Sequence, residues 1–246
     1  FAGHKSIGDW QTALGINLRC QHLSWYTMKG QAKRDYPAGI FYQSPWWESY
    51  PKVEDYFARI NSVMFEGSEC RNVLVLYPVE TMWTMPVVGL NNSEEREFYD
   101  NAIIALRDSL LFENIDFDYG DEDIIARHAA VTRKNGKPAF RVNKASYNAV
   151  ILPPMKTIRS STLKLLKKFR ESGGTVVFAG RLPEYVDAEP SNEAVKFAAS
   201  CRQAPEKGPT TAAAVEEAGR LVSIRDNTGK EIAPTLHLLK ETGDAY

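Results

Sequence analysis

The residues best suited to chemistry lie between His22 and Trp47. The run His22-Leu-Ser-Trp-Tyr-Thr-Met-Lys-Gly-Gln-Ala-Lys-Arg-Asp-Tyr-Pro37 continues as Phe41-Tyr-Gln-Ser-Pro-Trp-Trp47. It is too irregular for a single helix or strand, and long ordered loops are more often functional than connective. Flat rings beside paired charges suit a ligand with apolar faces and many hydroxyls, which describes a sugar. His22, Trp25, Tyr26, Lys33, Arg34, Asp35 and Trp46 are therefore the candidate substrate-binding residues. The alternative is a solvated loop whose rings anchor on the core. Lys33, Arg34 and Asp35 either form an internal ion pair or donate to hydroxyls or a carboxylate. Glycosidic hydrolysis needs two carboxylic acids, about 5–5.5 Å apart for retention or about 6.5–9.5 Å for inversion. Asp35, Glu48 and Glu54 are the nearby acids, and their spacing singles out no pair, so the catalytic residues stay unassigned.

The elements that must position this loop are legible around it. Ile7, Trp10 and Leu14 fall on one helical stripe that Gly15 stops. Ile16–Leu23 alternates as a strand does. After the aromatic run, Pro51 opens a helix with Val53, Tyr56, Phe57, Ile60 and Met64 at helical spacing, ended by Gly67. This helix–strand–loop–helix unit has the form of the last repeat of a (β/α) barrel, whose loops after strand ends carry the site.

A different pattern follows. Asn72–Tyr77, Ala149–Leu152 and Thr175–Phe178 are continuous apolar runs, the mark of strands buried on both faces of a parallel sheet. Between them come a helix opened by Ser93, a short strand Ile115–Tyr119, a helix over 122–130, a hairpin turn at Asn135-Gly136, and a helix from Ser160 to Arg170 ended by Gly173-Gly174. Strands alternating with helices at this spacing give βαβ units. Residues 188–219 predict two helices around 204–211, and 221–239 read as a hairpin-like tail. The expected divisions are 1–68, a barrel-like segment; 69–188, a flavodoxin-like α/β domain; and 189–246, a helical linker and partial β tail.

Several function classes are excluded or disfavoured. The turn after the first apolar strand, Tyr77-Pro-Val-Glu-Thr, lacks the glycines of a dinucleotide site, and no P-loop exists. An amidotransferase needs a Cys on a tight turn after a strand, whereas Ala179-Gly180-Arg181 holds no sulfur. Asp116, Asp118, Asp121, Glu122 and Asp123 resemble a calcium loop but place Gly120 and Arg127 at ligand positions, so helix capping explains them better. The four histidines are scattered, with no metal-ligand spacing. No cofactor and no metal are expected.

Net charge is −1, so no global field draws the chain to nucleic acid or anionic membrane, and no apolar run approaches the ~20 residues of a membrane span. Three widely spaced cysteines (Cys20, Cys70, Cys201) allow at most one disulfide and read as buried thiols. The start at Phe1 reads as mature or excised.

Two blocks carry a family resemblance. Gly15–Gly30 with Lys33–Pro37 and Pro45-Trp-Trp47 resembles the last barrel strand and following loop of family 106-type, α-L-rhamnosidase-like glycoside hydrolases. Arg71–Pro78, Ala149–Pro154 and Gly173–Phe178 resemble the class I amidotransferase-like domain that follows the barrel, similar to the trimerisation domain of family 42 β-galactosidases. The resemblance implies a multidomain bacterial enzyme, periplasmic or secreted, that hydrolyses a complex glycan. Its partners would be an oligosaccharide or polysaccharide, the rest of the parent barrel and further copies of itself. The expected fold is a flavodoxin-like parallel sheet with helices on both faces, preceded by a barrel-derived segment. The family's catalytic glutamates have no position in this sequence, and the rival reading is a non-catalytic assembly module.

Overall fold

The computed structural model describes residues 2–20, 27, 29–31, 40–85, 93–205, 209–232 and 235–243. Two compact units are present, Phe1–Cys70 with Leu236–Tyr246, and Arg71–Thr235.

The first unit holds helices α1 (Ala2–Ala13) and α2 (Pro51–Met64), with a 3-10 turn at Trp47–Ser49 before α2. Strand β1 (Ser68–Glu69) pairs antiparallel with Lys240–Glu241, the last strand, β13. Proline at the first turn of α2 costs no hydrogen bond, because that amide has no partner inside a helix. Tyr50, Val53 and Phe57 form a small core, joined by Ile40, Tyr56 and Ile60. The stripe Ile7, Trp10 and Leu14 does not face it. Trp10 is 55% exposed and Ile7 57%. Instead α1 turns Gly8 inward, where an added Cβ would lie 2.1 Å from the Phe57 ring, and Tyr56 Oη donates to Asp9 at 2.7 Å. The smallest residue sets the contact, because only glycine lets the backbone approach the ring. Residues 16–20 belong to no helix or strand and pair with no strand among the described residues, and Ile16 and Leu18 face water.

The second unit has the flavodoxin-like form. Its strands β2 (Val73–Leu76), β3 (Phe117–Gly120), β7 (Ala149–Leu152), β9 (Thr175–Ala179) and β12 (Arg202–Ala204) make one sheet in the order β12-β9-β7-β2-β3. All four pairings are parallel. Helices α4 (Ser93–Phe112) and α8 (Pro209–Gly219) cover one face, through Leu106, Leu110, Ala212 and Val215 against Val73, Val75, Ile151 and Val177. Helices α5 (Glu122–His128), α6 (Ser160–Glu171) and α7 (Glu193–Ala198) cover the other, through Ile125, Leu163, Leu166, Phe169 and Phe197 against Leu74, Leu76, Val150 and Phe178. Burial on both faces explains the unbroken apolar runs of the strands.

Smaller elements complete the unit. The antiparallel strands β4 (Ala129–Lys134), β5 (Lys137–Val142) and β6 (Ala145–Tyr147) follow α5, with Asn135 (φ 52°) and Gly136 (φ 77°) forming the expected hairpin turn. The short α3 (Val79–Trp83) follows β2, and the two-residue strands β8 (Thr157–Ile158), β10 (Tyr185–Val186) and β11 (Glu189–Pro190) form a small sheet beyond the ends of β7 and β9. The sheet runs past residue 188. Residues 202–204, expected within a linker, are its edge strand, and α8 packs on it. The expected hairpin-like turn at 226–229 closes with an antiparallel bridge, Arg225 to Glu231, and with the Ile232 amide donating to the Ile224 carbonyl at 2.9 Å, and no longer ladder forms among the described residues of 221–239. Among the described residues no helix is long and apolar enough to cross a membrane.

Candidate functional site

Of the seven expected substrate-binding residues, His22, Trp25, Tyr26, Lys33, Arg34 and Asp35 lie outside the described residues. Trp46 is described. The residue is 41% exposed, and its ring meets Tyr50 at a tilt, centroids 5.8 Å apart, while Trp47 stacks on the same Tyr50 at 6.0 Å and 10°. Buried Tyr50 thus anchors one side of both indoles and leaves the other side in water. Tyr42 is exposed beside them in sequence. Glu48 and Glu54 are both exposed. An open groove of about 660 Å³ runs along His4, Ile7 and Gln11 of α1 and Ile16, Leu18 and Arg19. The Arg19 guanidinium lies 3.9 Å over the Phe57 ring.

The cysteines are free, as expected, but none is buried. Cys20 is exposed, and Cys70 and Cys201 are half-buried. The acidic run divides between two structural duties. Asp121 caps α5, accepting from the amides of Asp123 and Ile124 at 2.9 and 3.0 Å. Asp116 and Asp118 accept from Arg71 at 2.9 and 3.0 Å, and Asp118 also from Tyr147 Oη at 2.9 Å.

A second site, unforeseen from the sequence, lies in the Arg71–Thr235 unit. The chain leaves β2 toward β3 with α4 on one face, and leaves β7 toward β9 with α6 on the other. The reversal falls between β2 and β7, and in open parallel sheets ligands bind in the crevice beyond the strand ends at such a point. Here the crevice is a cleft of about 590 Å³ whose walls include Glu80 and Trp83 from α3, Thr84 just after it, and Arg159 and Ser161 at the start of α6. Its third side is the turn Asp187-Ala188 between β10 and β11. A smaller hollow of about 310 Å³ shares the Thr84, Thr157 and Ala188 walls.

The cleft is held rigidly. Thr81 Oγ1 accepts from the Lys156 amide at 3.0 Å, tying α3 to the segment between β7 and β8. Arg159 Nε donates to Glu80 at 2.5 Å, and Nη1 to Asp123 at 3.3 Å. The Asp187 carboxylate accepts from the Ser160 amide at 2.9 Å, and the Ser160 side chain, with this amide, holds its carboxyl below the ordinary range. Both turn residues are left-handed without being glycine, Asp187 at φ 51° and Ala188 at φ 63°. Such a turn matches the strand twist but strains an alanine by about 1–2 kcal/mol. Thr157 Oγ1 accepts the Ala188 amide at 3.0 Å and helps hold it there.

Beneath the cleft sits Glu122, 2% exposed. Burial pushes its carboxyl up to about 7, against the pull of the Arg159 amide, which donates to it at 2.9 Å. Glu80, paired to Arg159, and Glu122, in a dry setting, are two carboxyls in contrasting environments on one arginine. Sequence reasoning sought glycines in the turn after β2 and found Tyr77-Pro-Val-Glu-Thr instead. The signal it passed over was the acid and indole spaced for one face of a short helix immediately after that strand.

No protein-family model and no curated protein matches the chain. Solved structures do show partial likeness. A catalytic mutant of Gan42B, a GH42 beta-galactosidase from G. stearothermophilus, is 16% identical over 57% of this chain and 19% of its own length, TM-score 0.37. A beta-galactosidase from Bacillus circulans sp. alkalophilus is 19% identical over 55% of this chain and 18% of its own, TM-score 0.35. An exo-carrageenase GH42 from Bacteroides ovatus is 13% identical over 68% and 19%, TM-score 0.39. The chain spans less than a fifth of each of these proteins. Likeness at this level does not place it in a family.

Proposed function

We propose that the chain is part of a carbohydrate-active enzyme that hydrolyses glycosidic bonds in a complex glycan. Residues 1–68 would supply a substrate-lining wall, and the parallel-sheet unit a non-catalytic scaffold. The observation that carries this reading is the pair Trp46 and Trp47, each with one side fixed on buried Tyr50 and the other open to water. Rings half-anchored and half-wet suit stacking on sugar faces. His22, Trp25, Tyr26, Lys33, Arg34 and Asp35, the substrate-binding residues expected from the sequence, would add rings and charged groups that donate to and accept from hydroxyls. The acids that cleave the bond belong to the rest of the parent barrel, and the parent enzyme is periplasmic or secreted. Calorimetry of the chain against rhamnosylated and galactosylated oligosaccharides tests it. Heat that disappears with Trp46→Ala and Trp47→Ala is expected, and absence of heat with every sugar refutes it.

A second reading, a non-catalytic module that associates with other copies, is favoured by one specific observation. Ile7, Trp10, Leu14, Ile16 and Leu18 are all exposed in the first unit, and clustered exposed apolar groups mark interaction surfaces. Concentration-dependent oligomers in light scattering, with no heat from sugars, would select it.

A further inference from the structure

The geometry points to a separate binding site for a neutral pyranoside in the cleft beyond β2 and β7, with the Trp83 indole as its stacking platform. This site lies within the Arg71–Thr235 unit and does not depend on the aromatic wall of residues 1–68. Trp83 is 72% exposed at the rim. A large ring left in water at the end of a short helix gains by stacking, and the apolar C–H face of a pyranose fits the negative face of an indole. Around it stand groups that bond hydroxyls: the carboxylates of Glu80 and Asp187, the guanidinium of Arg159, and the hydroxyls of Thr84 and Ser161. An apolar platform with a few convergent polar groups is the usual composition of a small-molecule site.

Charge selects the ligand class. Two carboxylates and one guanidinium line the cleft, and that guanidinium is already paired with Glu80 and Asp123. The start of α6, where an anion would bind a helix end, is taken by the Asp187 carboxylate on the Ser160 amide. A phosphate or sulfate would meet acids rather than free donors. A neutral polyol meets acceptors, donors and a ring. The left-handed Asp187-Ala188 turn, held by Thr157, keeps the far wall in place, so little ordering accompanies binding.

The test is an amide-resolved NMR titration of the full chain with lactose and cellobiose at millimolar concentrations. The expected result is movement of the Trp83 indole and of the Thr84, Ser161 and Ala188 amides. Trp83→Ala should weaken this binding about tenfold, Trp83→Phe less, and Glu80→Gln several-fold. Because the ring is exposed, Trp83→Ala should leave the thermal midpoint in place. The inference fails if those amides stay still, or if their response survives Trp83→Ala undiminished. It fails equally if inorganic phosphate or tetramethylammonium moves them and the sugars do not. Shifts confined to residues 20–50 would support the wall described under Proposed function and overturn this site.

Discussion

At the scale of a residue, Glu122 is the group whose behaviour departs furthest from its ordinary chemistry while lying next to the cleft. A carboxyl that titrates near 4.5 in the unfolded chain titrates at about 7 in the folded one, because burial disfavours the anion. The folded state therefore holds its proton more tightly. Below pH 4.5 both states are protonated and burial carries no ionic penalty. Between 4.5 and 7 the unfolded chain ionises first, so stability falls as pH rises. Above 7 the whole penalty is present, on the order of 3 kcal/mol at about 1.4 kcal/mol per pKa unit. Glu122→Gln keeps an acceptor for the Arg159 amide and removes the ionisation. Urea unfolding at pH 5 and pH 7.5 should show the wild type losing stability across that interval relative to the variant. Parallel behaviour of the two proteins would mean that Glu122 is solvated rather than buried.

At the scale of an element, the α6–β9 junction shows how a local sequence signal becomes a packing constraint. Gly173, at φ 96°, follows the last helical turn; its amide donates to Arg170 at 3.0 Å and that of Gly174 to Phe169 at 2.9 Å. Those two bonds are the Schellman ending, which needs a left-handed residue at its first position. Gly174 has a different reason to be glycine: an added Cβ would lie 2.4 Å from the fully buried Phe169 ring. Gly174→Ala should therefore destabilise the protein by about 1–3 kcal/mol through overpacking, measured as a drop in the urea midpoint. An unchanged midpoint would mean that the ring has room to move.

The same junction shows what was readable in sequence. Gly173-Gly174, the Asn135-Gly136 turn and the apolar runs of β2, β7 and β9 carry their physics locally, in backbone freedom and in side chains buried on both faces. The edge strand Arg202–Ala204 carries no such signal, because its pattern is half-exposed and polar. It is a strand only because β9 offers it a ladder. The cleft was hidden for a similar reason. Glu80, Arg159 and Asp187 are far apart in sequence and meet only through sheet order. The α1 stripe misled because Ile7, Trp10 and Leu14 specify a helix face but not what covers it, and the contact with α2 was decided by Gly8.

At the scale of the whole molecule, the division of burial argues that the Arg71–Thr235 unit folds without the remainder. Its sheet is covered on both faces by side chains that belong to the unit itself, with Leu74, Val75, Leu106, Leu110, Val150, Ile151, Leu166 and Phe169 at or near zero exposure. Ion pairs among the described residues also close within it, Arg71 with Asp116 and Asp118, and Arg220 with Glu113 and Glu231. The first unit instead rests on the few rings around Tyr50 and Phe57. A polypeptide of residues 71–235 should unfold in urea as one cooperative transition, with an m-value of about 1–3 kcal/mol/M. Its Val150, Ile151 and Val176 amides should exchange as slowly as in the full chain, since core strands open only with global unfolding. A non-cooperative melt, or fast exchange at those strands, would show that the sheet depends on residues outside 71–235 for its stability.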